Sequence, residues 1–195
     1  MAQLLEKEIW VQIGKGDKSA YGQFYVFYYK KLFNYGRKFT DNIALLEDAL
    51  QESLMTIWSG RDRLDDITTP HSYLFAAFRH ILFRKIRLAG KLYSLDRQES
   101  ASPEFGIEHI IIAREEESEM GLRLRQSIET LTSRQREAIF LRFYEGLSYE
   151  EVADMLGISV KATYKIMARA LLQLKTHLSL PMLSVLLLLR EAAGC

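Results

Sequence analysis

The stretch LSYEEVADMLGISVKATYKIMARALLQL, Leu147 to Leu174, carries two helix starts and one helix stop in close succession. Ser148 precedes an apolar-periodic run and Glu151 stands three residues on. That is the pattern of a capping box, in which side chains and backbone satisfy each other's free groups. Gly157 then supplies a residue able to take the left-handed conformation that ends a helix. Ser159 is placed to cap a second helix directly afterwards, and Ala153 is small where two helices would cross. A short helix, a tight glycine turn and a second helix predict a helix-turn-helix.

The second helix of the pair divides by face. Thr163, Met167, Ala170, Leu171 and Leu174 fall on an inward side, whereas Lys161, Lys165 and Arg169 recur at steps of four outside, with Tyr164 and Ala168 beside them. A charge run is usually only a solvated face. Here the sign is uniform, with four basic residues and no acid from Val160 to Lys175. The stripe also lies on the helix that such motifs present to the major groove. It is therefore expected to meet DNA, through phosphates or guanine edges.

The rest of the chain bounds what surrounds this motif. With 195 residues, 48% of them hydrophobic and 26% charged, it has room for one domain or two small ones. Its single cysteine, Cys195, excludes an intrachain disulfide. No signal peptide opens the sequence, since Glu6, Lys7 and Glu8 interrupt any apolar run, and a cytoplasmic protein is expected. The tail LSLPMLSVLLLL, Leu178 to Leu189, falls short of the roughly 18 to 20 apolar residues of a spanning helix and reads as a segment packed on the protein or a partner. Net charge is only +1, but it is sorted by segment. Residues 1–95 carry 14 Lys and Arg against 10 Asp and Glu, whereas residues 96–120 carry two against eight.

Helical periodicity dominates, and an all-α fold of two small helical domains is expected. A helix or helix pair covers about 3–39, where Phe24, Phe27, Tyr28, Leu32, Phe33 and Tyr35 read as a core stripe. Asp41 or Asn42 can cap the next helix, which holds LEDALQESLMTIW, Leu46 to Trp58. Leu46, Ala49, Leu50, Leu54, Ile57 and Trp58 supply its apolar face, while Asp48, Gln51, Glu52 and Met55 share a second surface not needed for burial. A polar loop, residues 59–70, leads to a helix rich in Arg and Lys toward its end, and LDRQESASPEFGIE, Leu95 to Glu108, reads as a linker. Further helices are expected at about 109–130, 134–144, 148–156 and 160–177. The division predicted is 1–94 for the first domain, 95–108 for an acidic flexible linker, 109–178 for the helix-turn-helix domain and 179–195 for an apolar tail.

EDALQESLMTIW followed by SYLFAAFRHILFRKIR resembles conserved region 2 of bacterial sigma factors, and LTSRQREAIFLRFYEGLSYEEVADMLGIS is similar to their region 4. Both occur in order with little else, the arrangement of the extracytoplasmic-function (ECF) group of the sigma-70 family. The resemblance covers about Ala20 to Lys175. It implies a factor that binds core RNA polymerase and directs promoter-specific initiation. Asp48, Gln51, Glu52, Met55 and Trp58 would dock on the clamp helices of the largest subunit. Asp65, Asp66 and Thr68 would lie where a flipped minus-10 base is held, with Arg79, His80, Arg84, Lys85 and Arg87 along the neighbouring strand. Ser159, Lys161, Tyr164, Lys165 and Arg169 would meet the minus-35 element. The family also implies a membrane-anchored anti-sigma factor as a further partner.

Two departures stand out. His80 occupies a position where relatives often carry Asn. Ala162-Thr163-Tyr164-Lys165-Ile166 stands where they often read Thr-Val-Lys-Ser-Arg, so an arginine becomes Ile166. Catalysis, a metal, a cofactor and a small-molecule substrate are not expected. The histidines His71, His80, His109 and His177 have no metal-ligand spacing, and no phosphate loop or nucleophile motif appears. The rival reading is a stand-alone regulator that binds an operator without polymerase; a third is a protein-interaction adaptor that does not bind DNA.

Overall fold

The computed structural model describes residues 2–67, 69–93, 119–179, 181, 184–187 and 189. Its described residues are helical and contain no strand. The chain divides into two compact units, Met1–Pro103 and Glu104–Cys195.

In the first unit α1 (Ala2–Gly14), α2 (Lys18–Gly36), α3 (Ile43–Ser59) and α4 (Pro70–Tyr93) pack together, with a 3-10 turn at Arg61–Asp66. Each start has a local cause. Asp17 accepts from the amides of Ser19 and Ala20 at 2.7 and 3.1 Å and opens α2. Asn42 accepts from Leu45 at 3.0 Å and opens α3, while its neighbour Asp41 pairs with Arg37 at 3.2 Å instead. Leu46, Ala49, Leu50, Leu54 and Ile57 are all buried, against α4 and α2. The Trp10 indole donates to the Leu64 carbonyl at 3.0 Å, tying α1 to the 3-10 turn. The segment that read as a plain loop therefore carries helical structure and a tertiary anchor.

The aromatic stripe of α2 is narrower than its spacing suggested. Phe24, Tyr28, Leu32 and Tyr35 are buried, but Phe27 is 53% exposed and Phe33 only half-buried. A helix of this pitch buries about one arc, and residues a full quarter-turn from its centre fall outside it.

The second unit contains α5 (Glu119–Glu129), α6 (Ser133–Ile139), α7 (Tyr149–Leu156) and α8 (Val160–Leu178), with α8 packed on the other three. Capping boxes open α6 (Thr132 with Gln135) and α7 (Ser148 with Glu151), and Ser159 caps α8. Gly157 closes α7 at φ 62, ψ 42, a conformation costly for any residue with a Cβ. Arg134 donates to the Leu156 carbonyl at 2.9 Å, satisfying the same helix end. The regular helix expected over 134–144 instead widens into a π turn at Phe140–Tyr144. Periodicity cannot show one inserted residue; burial of both Phe140 and Leu141 accompanies it. The first part of the helix expected from 109 and the linker 95–108 lie outside the described residues. Beyond α8, Val185 and Leu189 are buried. Among the described residues, no helix is long and apolar enough to cross a membrane.

Gly36 marks the tightest crossing. A Cβ there would stand 2.9 Å from Phe78 Cζ and closer still to the Leu46 side chain. Gly36→Ala is expected to lose about 1–2 kcal/mol, because overpacking costs about 1–3 and helix propensity returns at most about 1. A urea unfolding midpoint equal to wild type or higher would contradict this packing.

Candidate nucleic-acid and partner interfaces

Burying the α3 stripe turns Asp48, Gln51, Glu52 and Met55 outward along one edge, with Met55 56% exposed. These four line an open groove of about 750 Å³, completed by Thr56, Ser59, Gly60 and two residues of the 3-10 turn, Asp62 and Arg63. The turn was a plain polar loop in the sequence, so nothing marked Asp62 and Arg63 as groove residues. Trp58 does not line the groove. It is half-buried, its ring 4.9 Å from that of Tyr21, with the Arg61 guanidinium 5.2 Å from its centroid and donating to the Trp58 carbonyl. These contacts set Trp58 at the end of α3 against α2 and the turn, with part of its ring open to solvent.

The same edge meets α4. Lys85 Nζ lies 2.5 Å from Asp48 Oδ2 and 2.8 Å from Glu52 Oε2, and Arg84 also pairs with Glu52. Residues assigned by resemblance to two separate tasks, docking and strand contact, thus form one acid–base seam. The hydrogen bond from Lys85, reinforced by Arg84, holds the Glu52 carboxyl below the usual carboxylate range. Asp48 first and Glu52 second raise the Lys85 ammonium above its usual value. The acids are open to solvent, so the seam adds little net stability.

The other cations of α4 differ in setting. Arg79 lies with its guanidinium 4.1 Å from the Phe83 ring centroid. His80 and Arg87 are exposed. Asp65 and Asp66 close the 3-10 turn by their backbone, and Thr68 lies outside the described residues.

On α8, Ser159, Lys161, Tyr164, Lys165 and Arg169 all face solvent, while Thr163, Met167, Ala170 and Leu174 are buried and Leu171 is half-buried. Ile166, the residue standing where relatives often have arginine, is half-buried. Tyr164 is not free-standing: its ring stacks on Tyr149 of α7. Among the described residues no group of three or more His, Cys, Asp or Glu is arranged to hold a metal ion.

The family description Sigma-70 region 2 matches residues 24–91, and Sigma-70, region 4 matches residues 121–174. The first match spans the groove and the seam, the second the capped helix-turn-helix. The chain belongs to the ECF sigma factors of the sigma-70 family. As a sigma factor it binds core RNA polymerase and directs promoter-specific transcription initiation. It is 24% identical over 167 residues to the ECF RNA polymerase sigma factor SigW of Bacillus subtilis (strain 168), covering 82% of this chain and 89% of that one. It is 23% identical over 155 residues to the RNA polymerase sigma factor YlaC of the same organism, covering 78% and 88%. Among solved structures, CnrH in complex with the cytosolic domain of CnrY is similar in fold, with a TM-score of 0.56 at 22% identity over 88% of this chain and 95% of that one. The sigma factor RpoE in complex with the anti-sigma factor NepR from Bartonella quintana also has a TM-score of 0.56, at 20% identity over 82% and 96%.

The seam has a titration signature. Glu52 is depressed, so its share of stability is present above the ordinary carboxylate value of 4.5 and lost as pH falls through the lowered one. Lys85 is raised, so its share is present below 10.5 and lost as pH rises beyond that. Carbon-detected NMR should give Glu52 a midpoint below 4.5 that returns toward it in the Arg84→Met, Lys85→Met double variant. An unchanged midpoint in that variant would remove the seam.

Proposed function

We propose that this sigma factor docks on core polymerase through the α3 groove, with Asp48, Gln51, Glu52 and Met55 receiving a basic helical surface on the largest subunit. An acidic rim around an apolar Met55 suits such a partner, since charge steers the encounter while the apolar patch holds it. Arg79, His80, Arg84, Lys85 and Arg87 then serve the minus-10 region, where a displaced strand needs cations along its backbone. The α8 face bearing Ser159, Lys161, Tyr164, Lys165 and Arg169 serves the minus-35 element. The domains proposed are 1–94, the tether 95–108, 109–178 and the tail 179–195. The role is regulatory and cytoplasmic rather than catalytic.

The seam carries this reading. In the free chain Arg84 and Lys85 are held by the acids of the docking edge. A basic partner surface that takes Asp48 and Glu52 releases both cations to phosphate. Docking and strand binding are then coupled, and by linkage each strengthens the other. A stand-alone regulator would gain nothing from storing its DNA-binding charge this way.

The two solved relatives were captured with partners, CnrH with CnrY and RpoE with the anti-sigma factor NepR. A membrane-anchored anti-sigma protein competing with core for the α3 groove is the corresponding partner proposed for this chain.

Labelled promoter mixed with the chain alone and with the chain plus core separates the readings. Tight binding is expected only with core; equal binding by the chain alone would favour an operator-binding regulator. Gln51→Ala with Met55→Ala, which leaves the ion pairs intact, should weaken core binding at least tenfold at unchanged melting temperature. Lys165→Ala should lower the salt slope of promoter binding by about 1; an identical slope takes Lys165 off the contact surface.

A further inference from the structure

The recognition helix departs from its relatives at Tyr164, and the fold gives that tyrosine a support. Its ring lies 4.2 Å from the Tyr149 ring, centroid to centroid, with an angle of 14° between planes. Tyr149 is the first residue of α7, one step after the Ser148 cap, so its backbone is fixed by the capping box. The Arg142 guanidinium lies 5.3 Å from the Tyr149 centroid and is itself held by donating to the Leu147 carbonyl at 2.8 Å. Tyr164 therefore has one face covered, yet it remains 51% exposed. Lys161 and Lys165 flank it on the same helix, both exposed.

Tyr164 can hand phosphate only its single hydroxyl, and Lys161 and Lys165, exposed on the same helix, already supply cations for that contact. What the ring offers is an apolar edge held in one orientation. In the major groove the apolar feature that distinguishes bases is the C5-methyl group of thymine. An unsupported tyrosine would have to give up rotamer freedom on meeting it, whereas a ring already stacked has given it up on folding.

We infer that Tyr164, held in place by Tyr149, reads a thymine methyl group in the minus-35 element. Tyr164 is the specificity-determining contact and Tyr149 the positioning residue. This rests on the assignment of α8 to the minus-35 element and adds to it the base, the atom and the support.

The test uses the full chain bound to core polymerase. A promoter library randomised at minus-35 is first selected with wild type. Each selected thymine is then replaced by uracil, which removes only the methyl group. One position is expected where uracil weakens wild-type binding about fourfold, the worth of one buried methyl group. Tyr164→Ala should bind thymine and uracil equally there, while Tyr164→Phe and Tyr149→Phe keep the preference. Tyr149→Ala should cut it to below twofold at unchanged core affinity and helix content. Selection of a clear motif with no position sensitive to uracil would overturn the inference, as would a full preference surviving in Tyr164→Ala. A full preference in Tyr149→Ala would overturn the positioning role. A wild type that binds core yet selects no minus-35 sequence would overturn the α8 assignment itself, and this reading with it.

Discussion

Burial of Leu46, Ala49, Leu50, Leu54 and Ile57 between α2 and α4 is the constraint from which the N-terminal unit takes its working surface. Each of the three leucines and the isoleucine gains roughly 1.5–3 kcal/mol on leaving water, so the stripe dictates how α3 is rotated. Once it faces inward, Asp48, Gln51, Glu52 and Met55 have only the outer edge left. The same burial fixes α4, because Leu74, Phe75, Phe78, Ile81 and Leu82 need cover and find it in the same interior. Arg84 and Lys85 then arrive opposite the acids. An exposed ion pair contributes about 0–1 kcal/mol, too little to set this register, so the seam is a consequence of the apolar packing.

That ordering matters for function. Because the packing does not depend on the seam, the ion pairs can exchange partners without unfolding the unit. Charges placed in a dry interior would not be free to do so, since separating a buried pair leaves an uncompensated ion. Half-open pairs on a rigid edge are cheap to break. Tyr21 and Arg61 hold Trp58 where α3 ends and the 3-10 turn begins.

The C-terminal unit uses backbone chemistry for the same purpose. Two capping boxes, the Ser159 cap and the left-handed Gly157 define where α6, α7 and α8 begin and where α7 ends. With those ends fixed, burial of Thr163, Met167, Ala170 and Leu174 sets the rotation of α8 and leaves its basic face in solvent. Ile166 joins the half-buried flank, apart from the exposed stripe of Lys161, Lys165 and Arg169.

Most of the helices, the caps at Ser148 and Ser159, the Gly157 stop, the helix-turn-helix and the outward acidic edge were legible in the sequence, because each depends on spacing within a few residues. The family motifs were legible for the same reason. Other features depend on residues far apart in the chain. The pairing of Asp48 and Glu52 with Arg84 and Lys85, the entry of Asp62 and Arg63 into the groove, and the stacking of Tyr149 on Tyr164 all needed helices to be placed side by side. The narrowing of the α2 stripe and the π turn at Phe140–Tyr144 likewise reflect what neighbouring elements cover, which local periodicity does not contain. The chain alone determined where helices start and stop and which arc of each is apolar; tertiary packing decided how much of that arc is covered and which outward residues meet, since both depend on where long-range apolar burial sets each helix down.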